Sequence, residues 1–201
     1  MINDIEPYRQ ILTKYWGFTS FRPLQEDIIK SVADGKDTLG LMPTGGGKSV
    51  TFQVPGLVKE GICLVITPLI ALMREQVNRL NSMGVRALAV HSGLSAEEID
   101  IILENSIYGD YKFLYISPER ISTRIFQARL PKMPLNLIAV DEAHCISQWG
   151  YDFRPSYLKI ASIREIIPDN IPVLALSASA TPQVSEDIMN RLKFKEQNVL
   201  K

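Results

Sequence analysis

Along the chain, short runs that are apolar almost throughout alternate with longer stretches in which apolar positions recur at helical spacing. The runs at 38–42, 62–67, 86–91, 112–117, 137–141 and 173–177 are rich in Val, Ile and Leu. Continuous apolarity, rather than strict alternation, predicts parallel strands covered on both faces. The stretches between and around them predict helices at 23–33, 48–58, 70–83, 96–108, 119–128, 157–167 and 182–192. In the third of these, Leu72, Gln76, Arg79, Leu80 and Met83 share a side, so the expected inner face is only partly apolar, and Gly84 reads as the C-terminal cap. Ser95, ahead of Ala96, Glu97 and Glu98, reads as an N-cap with acids in the first turn. Strand–helix alternation without an internal repeat predicts α/β architecture in three layers: a mostly parallel sheet, joined by right-handed crossovers and covered by helices on both faces. Ligands of such sheets sit at the carboxyl ends of the strands.

Composition narrows the partners. The 201 residues fit one domain with a sizeable core. Lys plus Arg equals Asp plus Glu at 22 each, so any nucleic-acid site has to be a local patch rather than a general basic surface. No apolar run is long enough to span a bilayer, and the opening MINDIEPYRQ has acids and no apolar h-region, which excludes a secretory signal. Cys63 and Cys145 are far apart and outside any CxxC pair, so they read as reduced core thiols. The expected compartment is the cytoplasm, bacterial cytoplasm or nucleoid, with no membrane partner.

The first chemical signal is Met42-Pro43-Thr44-Gly45-Gly46-Gly47-Lys48-Ser49, between an expected strand and an expected helix. That context is what a phosphate-binding P-loop requires. Backbone amides from Thr44 through Gly47 can point at phosphate oxygens, and glycines permit both close approach and positive φ. The helix N-terminus adds partial positive charge. Lys48 would reach the β- and γ-phosphates, and the Ser49 hydroxyl would ligate Mg²⁺. The strict pattern GxxxxGK[ST] asks for glycine at the position held by Met42.

The second signal is the apolar run that ends in Asp141-Glu142-Ala143-His144. An aspartate at a strand end in a P-loop protein helps hold Mg²⁺, and a neighbouring glutamate can orient or activate the attacking water. His144 can hydrogen-bond towards the γ-phosphate or towards a nucleic-acid site. His91, the other histidine, reads as structural.

Taken in order, these motifs resemble the first RecA-like lobe of a RecQ-family DNA helicase over nearly the whole chain. Phe18-Thr19-Ser20-Phe21-Arg22-Pro23-Leu24-Gln25 resembles the adenine-recognition motif, and the phosphate loop matches in its MPTGGGKS form. The run from Thr67 to Met73 resembles motif Ia, and Ser117-Pro118-Glu119-Arg120 resembles the next DNA-side motif. DEAHCISQWGYDFRPSY, from Asp141 to Tyr157, resembles motif II with the aromatic-rich loop, and Ser177 to Thr181 resembles motif III, with Ser179 in place of the central threonine.

The resemblance implies a RecA-like ATP-binding lobe over 1–201, with 1–34 as an N-terminal helical segment that recognises adenine. Gln25 would read the base through its amide, Phe18 would stack on it, and Arg22 would lie near the nucleotide; Phe21 reads as core. Trp149, Tyr151, Phe153 and Tyr157 crowd an irregular loop, a composition suited to base stacking, worth about 1–3 kcal/mol per base. Trp149 and Phe153 are expected at DNA or in coupling, Tyr157 equally in a local core, and Arg154 at a phosphate or coupled to the nucleotide. Ser177 and Thr181 belong to the same coupling region. The implied partners are ATP with Mg²⁺, single-stranded DNA and duplex junctions, and a second RecA-like lobe of a longer chain carrying an arginine finger. The implied activity is 3′–5′ unwinding driven by ATP hydrolysis, in DNA recombination and repair. Two rivals stay open: a DEAD/DEAH-type RNA helicase lobe, and a nucleic-acid-binding module without catalysis.

Overall fold

The computed structural model describes residues 4–201; residues 1–3, the start of the stretch read above as lacking a signal, lie outside them. Seven parallel strands form one sheet: β1 Thr38–Leu41, β2 Ile62–Ile66, β3 Ala87–Val90, β4 Phe113–Ile116, β5 Leu135–Val140, β6 Val173–Ser177 and β7 Val199–Leu200. Their order is β3-β4-β2-β5-β6-β1-β7, and every pairing is parallel. The helices are α1 Glu6–Trp16, α2 Pro23–Ala33, α3 Val50–Val58, α4 Ile70–Ser82, α5 Ala96–Tyr108, α6 Arg124–Arg129 and α7 Pro182–Arg191, with 3₁₀ segments between several of them. Among the described residues no helix is long and apolar enough to cross a membrane.

The continuous apolar runs fill two cores at once. Side chains alternate across a strand, so Leu64 and Ile66 join Ile138, Val140 and Ala175 on one face, while Cys63 and Val65 join Leu137, Ala139 and Leu174 on the other. The first core is closed by Leu103 of α5, Phe126 of α6 and Ile188 of α7; the second by Ile28 of α2, Phe52 of α3 and Met73 of α4. Each fully buried side chain of this kind contributes about 1.5–3 kcal/mol. A third cluster, Tyr8, Leu12, Phe21, Ile29 and Val54, seats α1 against α2 and α3 and confirms Phe21 as core.

Several elements differ from the sequence reading. Helix α4 buries Met73, Val77 and Leu80 rather than the face through Leu72 and Arg79. The stripe at i, i+4, i+7 is wholly apolar, whereas the expected one placed Arg79 inside. Ser95 does cap α5, accepting from the Glu98 amide at 3.2 Å while Glu98 accepts from the Ser95 amide at 2.7 Å, a reciprocal capping box. The expected helix at 119–128 breaks into a 3₁₀ turn, Pro118–Arg120, and the short α6. The expected helix at 157–167 is the 3₁₀ segment Pro155–Glu165. Its buried residues, Tyr157, Ile160 and Ile163, recur every third position, which is the 3₁₀ period. Helix α1 falls within the expected N-terminal helical segment, whose bounds the apolar pattern did not give, and strand β7 was not foreseen. β7 is fastened by polar bonds: Asp37 accepts from the Val173 and Lys195 amides at 2.9 and 3.0 Å and pairs with Arg164, and the Leu39 amide donates to Asn198 O at 2.9 Å.

Candidate nucleotide site

Strand order brings the two chemical signals together. β5, β6 and β1 are neighbours, so the loop after β1, the Asp141-Glu142 pair after β5 and Ser177 at the end of β6 share one edge of the sheet. Met42 still belongs to the ladder, its amide donating to Ser177 O at 2.9 Å, and its side chain is buried in the second core. Its backbone is not left-handed, so glycine is not required there, and the departure from the strict pattern has a packing reason.

The turn then tightens. The Gly46 amide donates to Pro43 O at 2.9 Å, and Gly45 and Gly47 take φ of 77° and 79°, values that favour glycine. A Cβ at Gly47 would lie 2.3 Å from the Gln25 Nε2. Thr44 is exposed at the rim. Ser49 occupies the N-cap of α3, and Lys48 precedes it, so the helix proper begins at Val50 rather than at 48.

Gln25 is buried under this turn. Its Nε2 donates to Gly46 O at 3.3 Å and Gly47 O at 3.1 Å, and its Oε1 accepts from the Arg22 amide at 3.0 Å. In this conformation the amide holds the loop, and reading a base requires those bonds to be exchanged. The Arg22 guanidinium donates to Gly45 O at 2.9 Å. Phe18 is exposed beside a cavity of about 190 Å³ that Leu12, Ser20, Arg22, Gln25 and Val50 also line.

Across the site, Lys48 Nζ lies 3.8 Å from Glu142 Oε1. Asp141 is buried, and burial, reinforced by the Glu142 charge, pushes its carboxyl up to about 6; Lys48 and the Glu142 amide, which donates to Asp141 Oδ1 at 3.0 Å, oppose the rise. Glu142 itself sits at φ 49°, an uncommon region for a residue with a side chain and one concentrated at functional sites. The Tyr157 hydroxyl donates to Asp141 O at 2.9 Å. Tyr157 is thus fully buried, and of its two readings the local core is the one realised.

His144 ties the acidic pair to β6. Its Nδ1 is 3.4 Å from Glu142 Oε2 and 3.1 Å from Ser177 Oγ, and the Ser177 hydroxyl donates to Ser179 O at 3.0 Å. With that single hydroxyl proton committed, Ser177 accepts from His144, which assigns the proton of the neutral ring to Nδ1. Burial lowers the His144 pKa, in keeping with a neutral ring. Ser179 contributes its carbonyl here, not its hydroxyl. Thr181 caps α7, accepting from the Val184 amide at 3.3 Å.

The aromatic loop divides by depth. Trp149 and Tyr151 are exposed at 67% and 73%, whereas Phe153 is half-buried. Tyr151, named in the sequence as one of the loop's aromatics but given no role of its own, stacks on His144 with centroids 4.2 Å apart and planes at 20°. A cavity of about 400 Å³ joins Trp149 and Tyr151 to Ala180 and Thr181. Arg154 is held by Asp152 at 2.9 Å. The Cys145 thiol faces Asp152 at 3.7 Å and is pushed up to about 12, chiefly by burial. Asp152 is engaged by Arg154, and the donor atoms of His144, Cys145 and Asp152 lie within 4.8 Å of one another. Cys63 is likewise buried and unbridged. At the ends of β2 and β4, Thr67 and Ser117 are buried, and their hydroxyls have no partner among the described residues. His91 is buried against Arg74 at 3.3 Å, as a structural histidine would be.

Comparison with known proteins gives a consistent setting. The DEAD/DEAH box helicase family model matches residues 22–188. A probable ATP-dependent DNA helicase RecS of Bacillus subtilis is 44% identical over 92% of this chain, which covers 37% of the relative. The ATP-dependent DNA helicase RecQ of the same organism is 42% identical over 96% of the chain and 33% of the relative. The chain thus spans about a third of the length of these relatives. Among solved structures, a hypothetical ATP-dependent RNA helicase from Sulfolobus tokodaii superposes with a TM-score of 0.71 at 18% identity, covering 98% of this chain and 57% of the other. The helicase MrfA bound to DNA gives 0.71 at 16% identity, covering 99% and 29%. At such identities the structures speak for the fold alone.

Proposed function

Since this chain belongs to the DEAD/DEAH box helicase family, we propose that it is the ATP-binding lobe of an ATP-dependent 3′–5′ DNA helicase that acts in recombination and repair in the cytoplasm or nucleoid. One observation carries the reading: Lys48 and Glu142, from loops on strands that flank β6, meet at 3.8 Å at the mouth of the glycine turn. A cation and a carboxylate so placed suit a triphosphate held for attack by water. The amides of Thr44 to Gly47 cradle the phosphates, Lys48 turns from Glu142 to the β- and γ-oxygens, and Glu142, released, orients the water. Ser49 and Asp141 offer hard oxygen donors of the kind Mg²⁺ takes, and a cation there would offset the cost of ionising the buried Asp141 carboxyl. When bound, the ion neutralises charge developing on the phosphates.

Phe18, Arg22 and Gln25, on the segment 1–34, border the small cavity as base-side residues. Trp149, Phe153, Arg154, Ser177 and Thr181 form the region through which DNA acts on the site, and the unpartnered Thr67 and Ser117 hydroxyls suit a DNA backbone. A second lobe of a longer chain completes the cleft. Names of DNA helicases among relatives at 40% identity or more favour DNA over RNA. In the full-length protein, Lys48→Ala is expected to abolish ATP turnover, and single-stranded DNA to stimulate the wild type more than RNA does. Unchanged turnover in Lys48→Ala overturns the reading; preferential stimulation by RNA replaces it with the RNA-helicase alternative.

A further inference from the structure

A polar cluster lies against the second core, away from the site, with Gln76 half-buried at its outer side. Gln53 of α3, Tyr115 of β4 and Gln76 of α4 meet there. Gln53 Nε2 donates to Tyr115 Oη at 3.0 Å and approaches Gln76 Oε1 at 3.4 Å, and Tyr115 Oη donates to Gln76 Oε1 at 2.8 Å. Tyr115 is fully buried and Gln53 nearly so. Around them the layer is apolar, with Phe52, Val65, Met73, Val77 and Phe113. Apolar side chains of equal volume would fill this space without any directional demand. Three polar groups that bond to one another fix a single relative placement, and Tyr115 or Gln53 left alone would carry the cost of an unpaired buried group.

Where the three segments lead gives that placement a purpose. Helix α3 starts at the phosphate loop, and the Gln53 amide donates to Ser49 O at 2.9 Å, one turn from Ser49. Helix α4 starts just past Thr67-Pro68-Leu69, and β4 runs straight into Ser117. Among the described residues, Thr67 and Ser117 carry the two buried hydroxyls without partners. The cluster therefore joins the nucleotide loop to both unpartnered positions on the other half of the sheet edge. We propose that Gln53, Tyr115 and Gln76 are positioning residues that lock the phosphate-loop helix to the segments ending at Thr67 and Ser117, and so make nucleotide binding and nucleic-acid binding depend on each other. The inference rests on the function proposed above, which puts nucleotide at one end of this link and DNA at the other.

Tyr115→Phe is the clean probe, because Phe52 packs edge-on to the ring at 6.4 Å and holds it without the hydroxyl. The measurement is the affinity of the full-length protein for a fluorescent oligodeoxythymidylate, with and without a non-hydrolysable ATP analogue and Mg²⁺; the ratio of the two affinities is the coupling. The expected result is a ratio that moves towards one by about threefold or more in Tyr115→Phe and in Gln76→Leu, within the range by which such residues tune coupling. Analogue affinity without DNA should stay within about twofold of wild type, a change too small to count as lost binding. Phe113→Leu, which disturbs the same layer without touching the hydrogen bonds, should lower the melting temperature and leave the ratio alone. A wild-type ratio different from one that both variants keep overturns this inference and spares the functional reading. A wild-type ratio of one overturns this inference as well, while the functional reading stands or falls separately on ATP turnover in Lys48→Ala.

Discussion

Asp141 shows how far a single carboxyl departs from its ordinary chemistry. Its folded pKa of about 6 stands above the usual 3.8, so the ionised form costs stability. The sign follows from linkage: no cost below about pH 4, where both states are protonated, rising to the full cost above about pH 6, on the order of 1–3 kcal/mol. Asp141→Asn should therefore raise the melting temperature at pH 8 without divalent metal, and the gain should vanish near pH 4; a melting scan at both values checks it. Glu142→Gln belongs with it and acts differently. It keeps the shape and one acceptor oxygen beside Lys48 and His144 but loses the charge, so analogue binding should persist while turnover falls by about 10²-fold or more, the usual scale for a lost general base. At this scale the sequence pointed to residues that the fold brings together, and was poor about what they touch. Lys48, Asp141, Glu142 and His144 were all named from motif and spacing. That Gln25 would hold the loop by its own amide, or that Tyr151 would cover His144, depends on distances set by the fold.

Elements were legible where the apolar period was strong. Helix α2 runs over Pro23–Ala33 and α5 over Ala96–Tyr108, both as expected, because Pro23 and Ser95 mark their starts. Legibility failed where polar bonds or an unusual period took over. Strand β7 has two residues and is held through Asp37 and Asn198, so no apolar run announces it. Tyr157, Ile160 and Ile163 repeat at three, which a helical reading absorbs as α although the chain winds as 3₁₀. The glycine turn is the element with the sharpest demand. Gly47→Ala would put a methyl at φ 79° against the Gln25 amide, at about 1–2 kcal/mol for the left-handed backbone alone. The expected outcome is a loss of nucleotide affinity of about tenfold or more with the far-ultraviolet circular dichroism unchanged, read by titration with a fluorescent ATP analogue.

At the scale of the whole molecule, the sheet order separates two groups of strand ends along one edge. β5, β6 and β1 end in the acidic pair, Ser177 and the phosphate loop, while β2 and β4 end in Thr67 and Ser117. The exposed Trp149 and Tyr151 lie beside the first group, and through Tyr151 the loop touches His144. That arrangement has a kinetic consequence. If Trp149 is where a DNA base stacks, removing its ring weakens the DNA signal but leaves the phosphate loop, Asp141 and Glu142 in place. Trp149→Ala in the full-length protein should then lower DNA-stimulated ATP turnover by about tenfold, as the loss of one base stack worth 1–3 kcal/mol implies, and change turnover without DNA by less than about twofold, a difference below 0.5 kcal/mol. Packing gives the opposite pattern, because a residue that only supports the loop would disturb His144 through Tyr151 and depress both rates together. Steady-state ATPase with and without single-stranded DNA separates the two, and equal losses assign Trp149 to the loop's own core rather than to DNA.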